Sequence, residues 1–224
     1  MIATAAAISL GLAVGARHAF EPDHLAAVST LVGNARTSRS AVSLGLLWGL
    51  GHTIALLAVG IVLVALDGML PERIGVMFEL VVSAMLVLLG ARSIVIGLRN
   101  AGDHASAHRH GHVEHAHGGA NDHVHVGERA IAWRPLTIGL IHGLAGSGAL
   151  TALVFAELPS TSARILYMLM FGTGSIAGMA VATGITGIAL TRLAQGPRTR
   201  RTFAVATGAL SCVVGVAWAA PLRG

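Results

Sequence analysis

The sequence is poor in the residues on which most soluble folds and many catalytic or nucleic-acid-binding sites depend. Only 11% of its 224 residues are charged, against roughly 25% in a typical soluble domain. There is no lysine, and the fifteen basic residues are all arginines that lie mainly in polar stretches rather than on one face, so the net charge of +5 does not indicate nucleic-acid binding. The single cysteine, Cys212, excludes an intramolecular disulfide and a Cys-x-x-Cys metal site.

Long apolar runs dominate the chain instead. Hydrophobic residues make up 54% of it, and the mean hydropathy is +0.74. Mostly apolar runs of about 18 residues or more indicate membrane-spanning helices, because about 20 residues cross the hydrocarbon core of a bilayer. The sequence therefore predicts an all-α integral membrane protein that lies in a lipid bilayer. Its six predicted transmembrane helices are 2–32, with an interruption near 18–24, then 40–66, 74–98, 135–157, 163–193 and 202–220.

The arginines are distributed unequally between the two predicted sides of the membrane. Ten fall in one set of loops and three in the other. Because arginine-rich loops face the cytoplasm, we expect a multi-pass protein of the cytoplasmic (inner) membrane with both termini outside and segment 99–133 inside. The ten are Arg36, Arg39, Arg99, Arg109, Arg129, Arg134, Arg192, Arg198, Arg200 and Arg201, and the three are Arg73, Arg164 and Arg223.

A short repeated pattern indicates that the chain has two related halves. A G-x-x-H sequence occurs at Gly15 and His18 in helix 1 and again at Gly139 and His142 in helix 4. Halves with an odd number of helices must have opposite orientations in the membrane, which is the inverted-repeat arrangement of many transporters. The predicted division is 1–98 for the first transmembrane half, 99–133 for a polar cytoplasmic segment, and 134–224 for the second half.

Several ionisable residues fall inside the apolar runs. Helix 1 contains His18, Asp23 and His24, helix 2 contains His52, and helix 4 contains His142. Ionisable groups at membrane depth are costly and usually functional. The alternative for a single histidine, and for His142 in particular, is a structural hydrogen bond between helices. The group in helix 1 favours a functional ion or proton site.

Pro22 determines the expected geometry of that group. In an unbroken helix His18 and His24 would point about 240° apart, so they would not meet on one face. Proline has no amide hydrogen, and its ring clashes with the carbonyl four residues earlier, here that of His18. We therefore expect a break that brings the two imidazoles together and frees backbone carbonyls as further ligands. Arg17 and Glu21 are expected either to form a structural ion pair or to balance the charge of the site.

The side-chain types favour a transition metal. Imidazole ligands suit zinc, copper, iron and nickel, whereas magnesium and calcium prefer sites made of oxygen. No thiolate is available, which argues against monovalent copper. The carboxylate of Asp23 can act as a ligand, or it can hold an imidazole in one tautomer without touching the metal.

The sequence around these residues resembles a known family. The segment GARHAFEPDHLAAV contains H-x4-D-H at His18, Asp23 and His24, GLGHTIAL surrounds His52, and HGLAGSGAL begins at His142. Together these motifs resemble the nickel/cobalt transporter superfamily, and in particular its short six-helix members of the UreH-like or efflux type.

The resemblance implies transport of Ni²⁺ or Co²⁺ rather than an enzymatic activity or a permanently bound cofactor. It implies that His18, Asp23 and His24 form the selective binding site, with a contribution from His52. The alternative is a membrane accessory protein that delivers nickel to a metalloenzyme such as urease, with a metallochaperone or a urease-maturation protein as partner. The sequence has no G-x4-GK[ST] motif, so energy is expected from an ion gradient or a separate partner. The direction of transport stays open.

The polar segment 99–133 is rich in histidine. Histidine-rich tracts are typical of metal binding, and a polar, glycine-rich composition predicts disorder in the absence of metal. The alternative is a variable linker between the two halves. The eight histidines predicted to form an auxiliary metal-binding loop are His104, His108, His110, His112, His115, His117, His123 and His125.

Overall fold

The structure is a computed structural model, and it describes ten segments of the chain. They contain seven helices and four short strands. The described segments are 2–32, 38–65, 72–99, 106–110, 113–117, 124–126, 129–131, 133–145, 160–193 and 196–220. The helices are α1 (Ile2–His18), α2 (Pro22–Val32), α3 (Ser38–Ala65), α4 (Glu72–Arg99), α5 (Trp133–Ala145), α6 (Thr161–Leu193) and α7 (Pro197–Ala219). The strands are β1 (Ser106–His110), β2 (Val113–His117), β3 (Val124–Val126) and β4 (Arg129–Ile131).

Four of these helices are long and apolar enough to cross a membrane. They correspond to the predicted helices 2, 3, 5 and 6, and their apolar parts span Arg39–Val62, Arg73–Arg99, Thr161–Leu193 and Pro197–Ala219. The first predicted helix consists of two short helices, α1 and α2. The fourth begins as α5, and the rest of its predicted range lies outside the described residues. The helical, membrane-spanning character expected from the sequence is confirmed.

The first helix breaks over three residues. α1 ends at His18 and α2 begins at Pro22, so the proline occupies the first helical position, where its missing amide hydrogen costs nothing. The amide of Phe20 donates to the carbonyl of Arg17 at 2.9 Å, and that of Glu21 donates to the carbonyl of His18 at 3.0 Å. The expectation that the break frees backbone carbonyls as metal ligands is therefore wrong for the carbonyls of Arg17 and His18, because both accept hydrogen bonds within the turn.

The helices pack through close backbone contacts. α6 packs against both α1 and α3, α5 packs against α3, and α4 pairs with α7. A Cβ atom on Gly15 would lie 2.1 Å from the carbonyl oxygen of Phe171, and one on Gly139 would lie 2.1 Å from that of Trp48. Only glycine permits such an approach, and small residues at helix contacts are typical of membrane bundles. The result is a tight group of α1, α3, α5 and α6.

Four short strands lie in the segment between α4 and α5, whose disorder in the absence of metal stays a prediction. It contains two antiparallel hairpins, with β1 paired to β2 and β3 paired to β4. Two residues separate the strands of each pair, and in both cases the first is a glycine, Gly111 or Gly127. The all-α expectation thus describes the spanning part of the chain only.

Candidate metal centre

Five polar side chains meet at the break in the first helix. His18 ends α1, Asp23 and His24 lie in the first turn of α2, His52 lies in the middle of α3, and His142 lies near the end of α5. Each of the five is between 0% and 1% exposed. The structure therefore brings together all five residues that the sequence predicts for a metal site.

His24 lies at the centre of the group. Its ring centroid is 4.3 Å from that of His18, 4.2 Å from that of His142 and 5.3 Å from that of His52. The rings of His18 and His52 are 5.3 Å apart, and those of His52 and His142 are 6.2 Å apart. Four imidazoles from four helices thus surround one small volume.

Asp23 connects two of these imidazoles. Its Oδ1 lies 3.1 Å from Nδ1 of His24, and its Oδ2 lies 2.9 Å from Nε2 of His142. Since a carboxylate only accepts hydrogen bonds, each imidazole donates an N–H from the nitrogen that faces it. This arrangement leaves the lone pairs on Nε2 of His24 and Nδ1 of His142, and it fixes the orientation of both rings.

A second carboxylate lies beside His18. Oε2 of Glu21 is 2.9 Å from Nδ1 of His18, within ion-pair distance but outside the angles of a hydrogen bond, and Glu21 is 29% exposed. Arg17 is exposed. Of the two alternatives for Glu21, its position next to a site imidazole favours charge balance at the site over an ion pair with Arg17.

The imidazoles hold several nitrogen atoms that lack hydrogen bonds. Within the part of the chain that the structure describes, Nε2 of His18, Nε2 of His24, both nitrogens of His52 and Nδ1 of His142 are buried without a hydrogen-bond partner. A buried polar atom left in this state costs about 1–3 kcal/mol. A neutral imidazole has one lone pair and one N–H, so a cation that binds one lone pair on each ring would remove part of this cost, and the donor set suits a metal ion of the imidazole-binding class.

The ligand atoms fall into two overlapping triads. One triad consists of His18, His24 and His52, and the other consists of Asp23, His24 and His142. Within each triad the ligand atoms lie within 4.8 Å of one another. Each triad alone offers three ligands, which is enough to hold a transition metal while positions stay open for exchange.

Aromatic side chains form the walls of this volume. The ring of Trp48 is 5.6 Å from that of His24 and 5.8 Å from that of His142, and the ring of Phe171 is 5.3 Å from that of His18. Both are buried. Neither residue is predicted for the site from the sequence. Trp48 could have been found, because it precedes His52 by four residues and so lies on the same face of the helix, whereas nothing in the sequence links Phe171 to the site.

The predicted auxiliary loop is only partly within the described residues. His108 and His110 lie in β1, His115 and His117 lie in β2, and His125 lies in β3. The remaining three, His104, His112 and His123, lie outside the described residues. Metal binding by this segment stays a prediction.

Comparison with known proteins identifies the family. The model of the NicO family, described as a high-affinity nickel-transport protein, matches residues 4–220. The urease accessory protein UreH of Bacillus sp. (strain TB-90) is 32% identical over 209 residues, which cover 93% of this chain and 88% of that protein. The chloroplast protein FOR GROWTH AND FERTILITY 2 of Arabidopsis thaliana is 29% identical over 180 residues, which cover 79% of this chain and 46% of that protein. No solved structure matches significantly. The chain belongs to the NicO family of high-affinity nickel-transport proteins.

Proposed function

We propose that the protein moves divalent nickel, and cobalt as a second substrate, across the cytoplasmic membrane through the buried His/Asp site. One observation carries the proposal, which is that five metal-ligating side chains, all buried, converge where a helix is broken. Broken helices at membrane depth are tolerated where they line a cavity or a binding site, and transporters place their substrate sites at such breaks.

The charge of the site suits a divalent cation. An unpaired ion in an apolar interior is very costly, so it requires both ligands and opposite charge. Imidazole nitrogens of the site replace water that the ion loses, and the carboxylates of Asp23 and Glu21 together carry the two negative charges that balance it. Trp48 and Phe171 keep water away from the rings, which keeps these interactions strong.

The packing of the helices supports two inverted halves with three transmembrane helices each. The close contact of Gly15 with Phe171 corresponds to that of Gly139 with Trp48, and Gly15 and Gly139 are aligned by the repeated G-x-x-H sequence. A second pair of contacts shows the same correspondence. Leu12 and Leu136 each precede the aligned glycine by three residues, and Gly174 and Gly51 each follow the residue it contacts by three. A Cβ on Gly174 would lie 2.3 Å from the carbonyl oxygen of Leu12, and one on Gly51 would lie 2.1 Å from that of Leu136. Alternating access would then arise as one half rocks against the other.

The arginine distribution supports an orientation with both termini outside and segment 99–133 in the cytoplasm. Labelling by a membrane-impermeant thiol reagent would test it. Cys212 is first replaced by serine, and a single cysteine is then introduced at position 118 or at position 2. We expect the cysteine at position 2 to be labelled in intact cells, and the cysteine at position 118 to be labelled only after the cells are permeabilised. The reverse pattern would show the opposite orientation.

A transport assay tests the central proposal. Cells that express the protein are supplied with radiolabelled nickel or cobalt, and both uptake and release are followed, because either direction is compatible with the site. His18→Ala and Asp23→Asn should each lower the flux at least about tenfold. Ser211→Ala is the matched control, since Ser211 is also a buried polar residue but donates to the carbonyl of Leu86 in the α4–α7 pair. Unchanged flux in the two site variants would refute the proposed site.

A second candidate is the delivery of nickel to a metalloenzyme such as urease. It is favoured by the similarity to UreH, which is named a urease accessory protein. In this case the histidine-rich segment would pass nickel to a metallochaperone or to a urease-maturation protein. Deletion of residues 104–125 separates the two candidates. Loss of enzyme maturation with intact metal flux would favour delivery, whereas loss of neither would leave transport as the function.

A further inference from the structure

We propose that the transported ion occupies two neighbouring positions in turn, and that His24 is a ligand in both. The proposal rests on the proposed function and concerns the same site. The first position, here called the imidazole position, is formed by His18, His24 and His52. The second, called the carboxylate position, is formed by Asp23, His24 and His142.

Distances argue against one ion that touches all five side chains. Two nitrogen ligands of one ion lie at most about 4.2 Å apart, since each metal–nitrogen bond is about 2.1 Å long. The ligand atoms of the five described side chains form two groups, within each of which all atoms lie within 4.8 Å of one another, rather than one group of five, so no single ion spans all of them in this arrangement. His24 belongs to both groups because its ring lies between those of His18 and His142.

The two positions differ in how ready they are to receive an ion. At the imidazole position, each of His18, His24 and His52 has a buried nitrogen with no hydrogen bond among the described residues. At the carboxylate position, both oxygens of Asp23 already accept hydrogen bonds, from His24 and from His142. An ion can therefore bind at the first position without breaking a contact, whereas the second position must first open.

The carboxylate position can open without the loss of a proton from His142. His142 releases its hydrogen bond from Nε2 to Oδ2 of Asp23, and rotation of its ring presents the unprotonated Nδ1 to the ion instead. The freed Oδ2 becomes the anionic ligand. The ion exchanges His18 and His52 for Asp23 and His142 while it stays bound to His24, so it is never without ligands in an apolar interior, where a bare charge is very costly.

Equilibrium binding and transport should respond differently to the loss of each position. The probe is Ni²⁺ alone, added to the full-length protein in detergent for calorimetry and to proteoliposomes for transport. In His142→Ala the imidazole position is intact, so we expect binding within about tenfold of wild type, the lower end of the effect of changing residues around a metal site, while transport is lost. His24→Ala should lose both, and His52→Ala should weaken binding more than His142→Ala does. Ser211→Ala should change neither.

X-ray absorption of wild-type protein with bound Ni²⁺ gives a test that does not depend on any variant. We expect three imidazoles around the metal at equilibrium. Four imidazoles, or equal losses of binding and transport in His52→Ala, His142→Ala and His24→Ala, would overturn the two positions and indicate one shared site. Those results leave the proposed function intact. Wild-type protein that neither binds nor transports Ni²⁺ would refute the proposed function itself.

Discussion

The chain has two groups of histidines, and they differ in how far their geometry is fixed by the protein. The four histidines of the membrane site are at most 1% exposed and come from four helices that meet at one point. Carboxylates face three of the rings, and Trp48 and Phe171 pack against the group. The eight histidines of segment 104–125 follow one another closely along a polar stretch between the halves.

This difference shows that histidine content alone does not determine what a site can do. A buried ligand set has already met the entropy cost of ordering its side chains, whereas we expect histidine side chains spread along a polar stretch to meet that cost when they bind metal. We therefore expect selectivity and translocation to depend on the buried group, and capture or release of ions near the membrane surface to depend on the segment. Four variants test this contrast, from the largest expected effect to the smallest.

Asp23→Asn should have the largest effect on transport. Asparagine keeps the size of the side chain but removes its charge, and its amide nitrogen cannot accept the N–H of His24 or His142. We expect nickel flux to fall about 10- to 100-fold, as is typical when the partner of a metal-binding imidazole is lost. Flux into proteoliposomes is the measurement. A flux equal to that of wild type would show that the orientation of the rings does not depend on this carboxylate.

Gly15→Ala should disturb the frame that holds the buried group. A Cβ atom there would lie 2.1 Å from the carbonyl oxygen of Phe171, so α1 and α6 must separate. Such overpacking costs about 1–3 kcal/mol. We expect a lower midpoint of thermal unfolding in detergent, together with weaker nickel binding. Gly75→Ala is the control, because nothing lies within 4 Å of the Cβ that it adds. Equal midpoints for both variants would contradict the close packing.

Glu21→Gln should have a smaller effect. Glu21 is 29% exposed, so solvent screens its charge more than that of Asp23, and Gln keeps an oxygen next to His18. We expect transport to fall by about tenfold or less. Calorimetry with Ni²⁺ shows whether the loss arises in binding. A loss as large as that of Asp23→Asn would mean that both carboxylates contribute equally and that burial does not set their importance.

Replacement of all eight histidines of segment 104–125 by asparagine should have the smallest effect on transport. We expect flux within about twofold of wild type, because the histidine side chains of a polar stretch lose conformational freedom when they bind metal, which weakens their hold on it. The nickel retained by the protein after desalting should decrease more than the flux does. If flux falls as far as in Asp23→Asn, the contrast between the two groups of histidines does not hold.

The sequence predicts the four long apolar helices and the five polar side chains that the structure brings together, because both are recognised by local rules. Apolar length marks the spans, and Pro22 marks the break, so the sequence alone could place His18, Asp23 and His24 together. It could not show that Asp23 accepts from both His24 and His142, because that contact joins residues far apart in the chain.

One expectation from the sequence was wrong for a physical reason. The carbonyls of Arg17 and His18 accept hydrogen bonds from Phe20 and Glu21, since a short turn satisfies its own backbone. The local backbone geometry thus prevailed over the effect inferred from Pro22 alone.

The contact of Trp48 with His24 and His142 gives the protein an optical reporter of its own. The indole lies 5.6 Å and 5.8 Å from these two rings, and both nickel and cobalt ions are paramagnetic and quench nearby indole fluorescence. The chain has three tryptophans, so replacing Trp133 and Trp218 by phenylalanine leaves Trp48, beside the site, as the single tryptophan. The arrival and departure of each ion could then be followed in real time without an added dye.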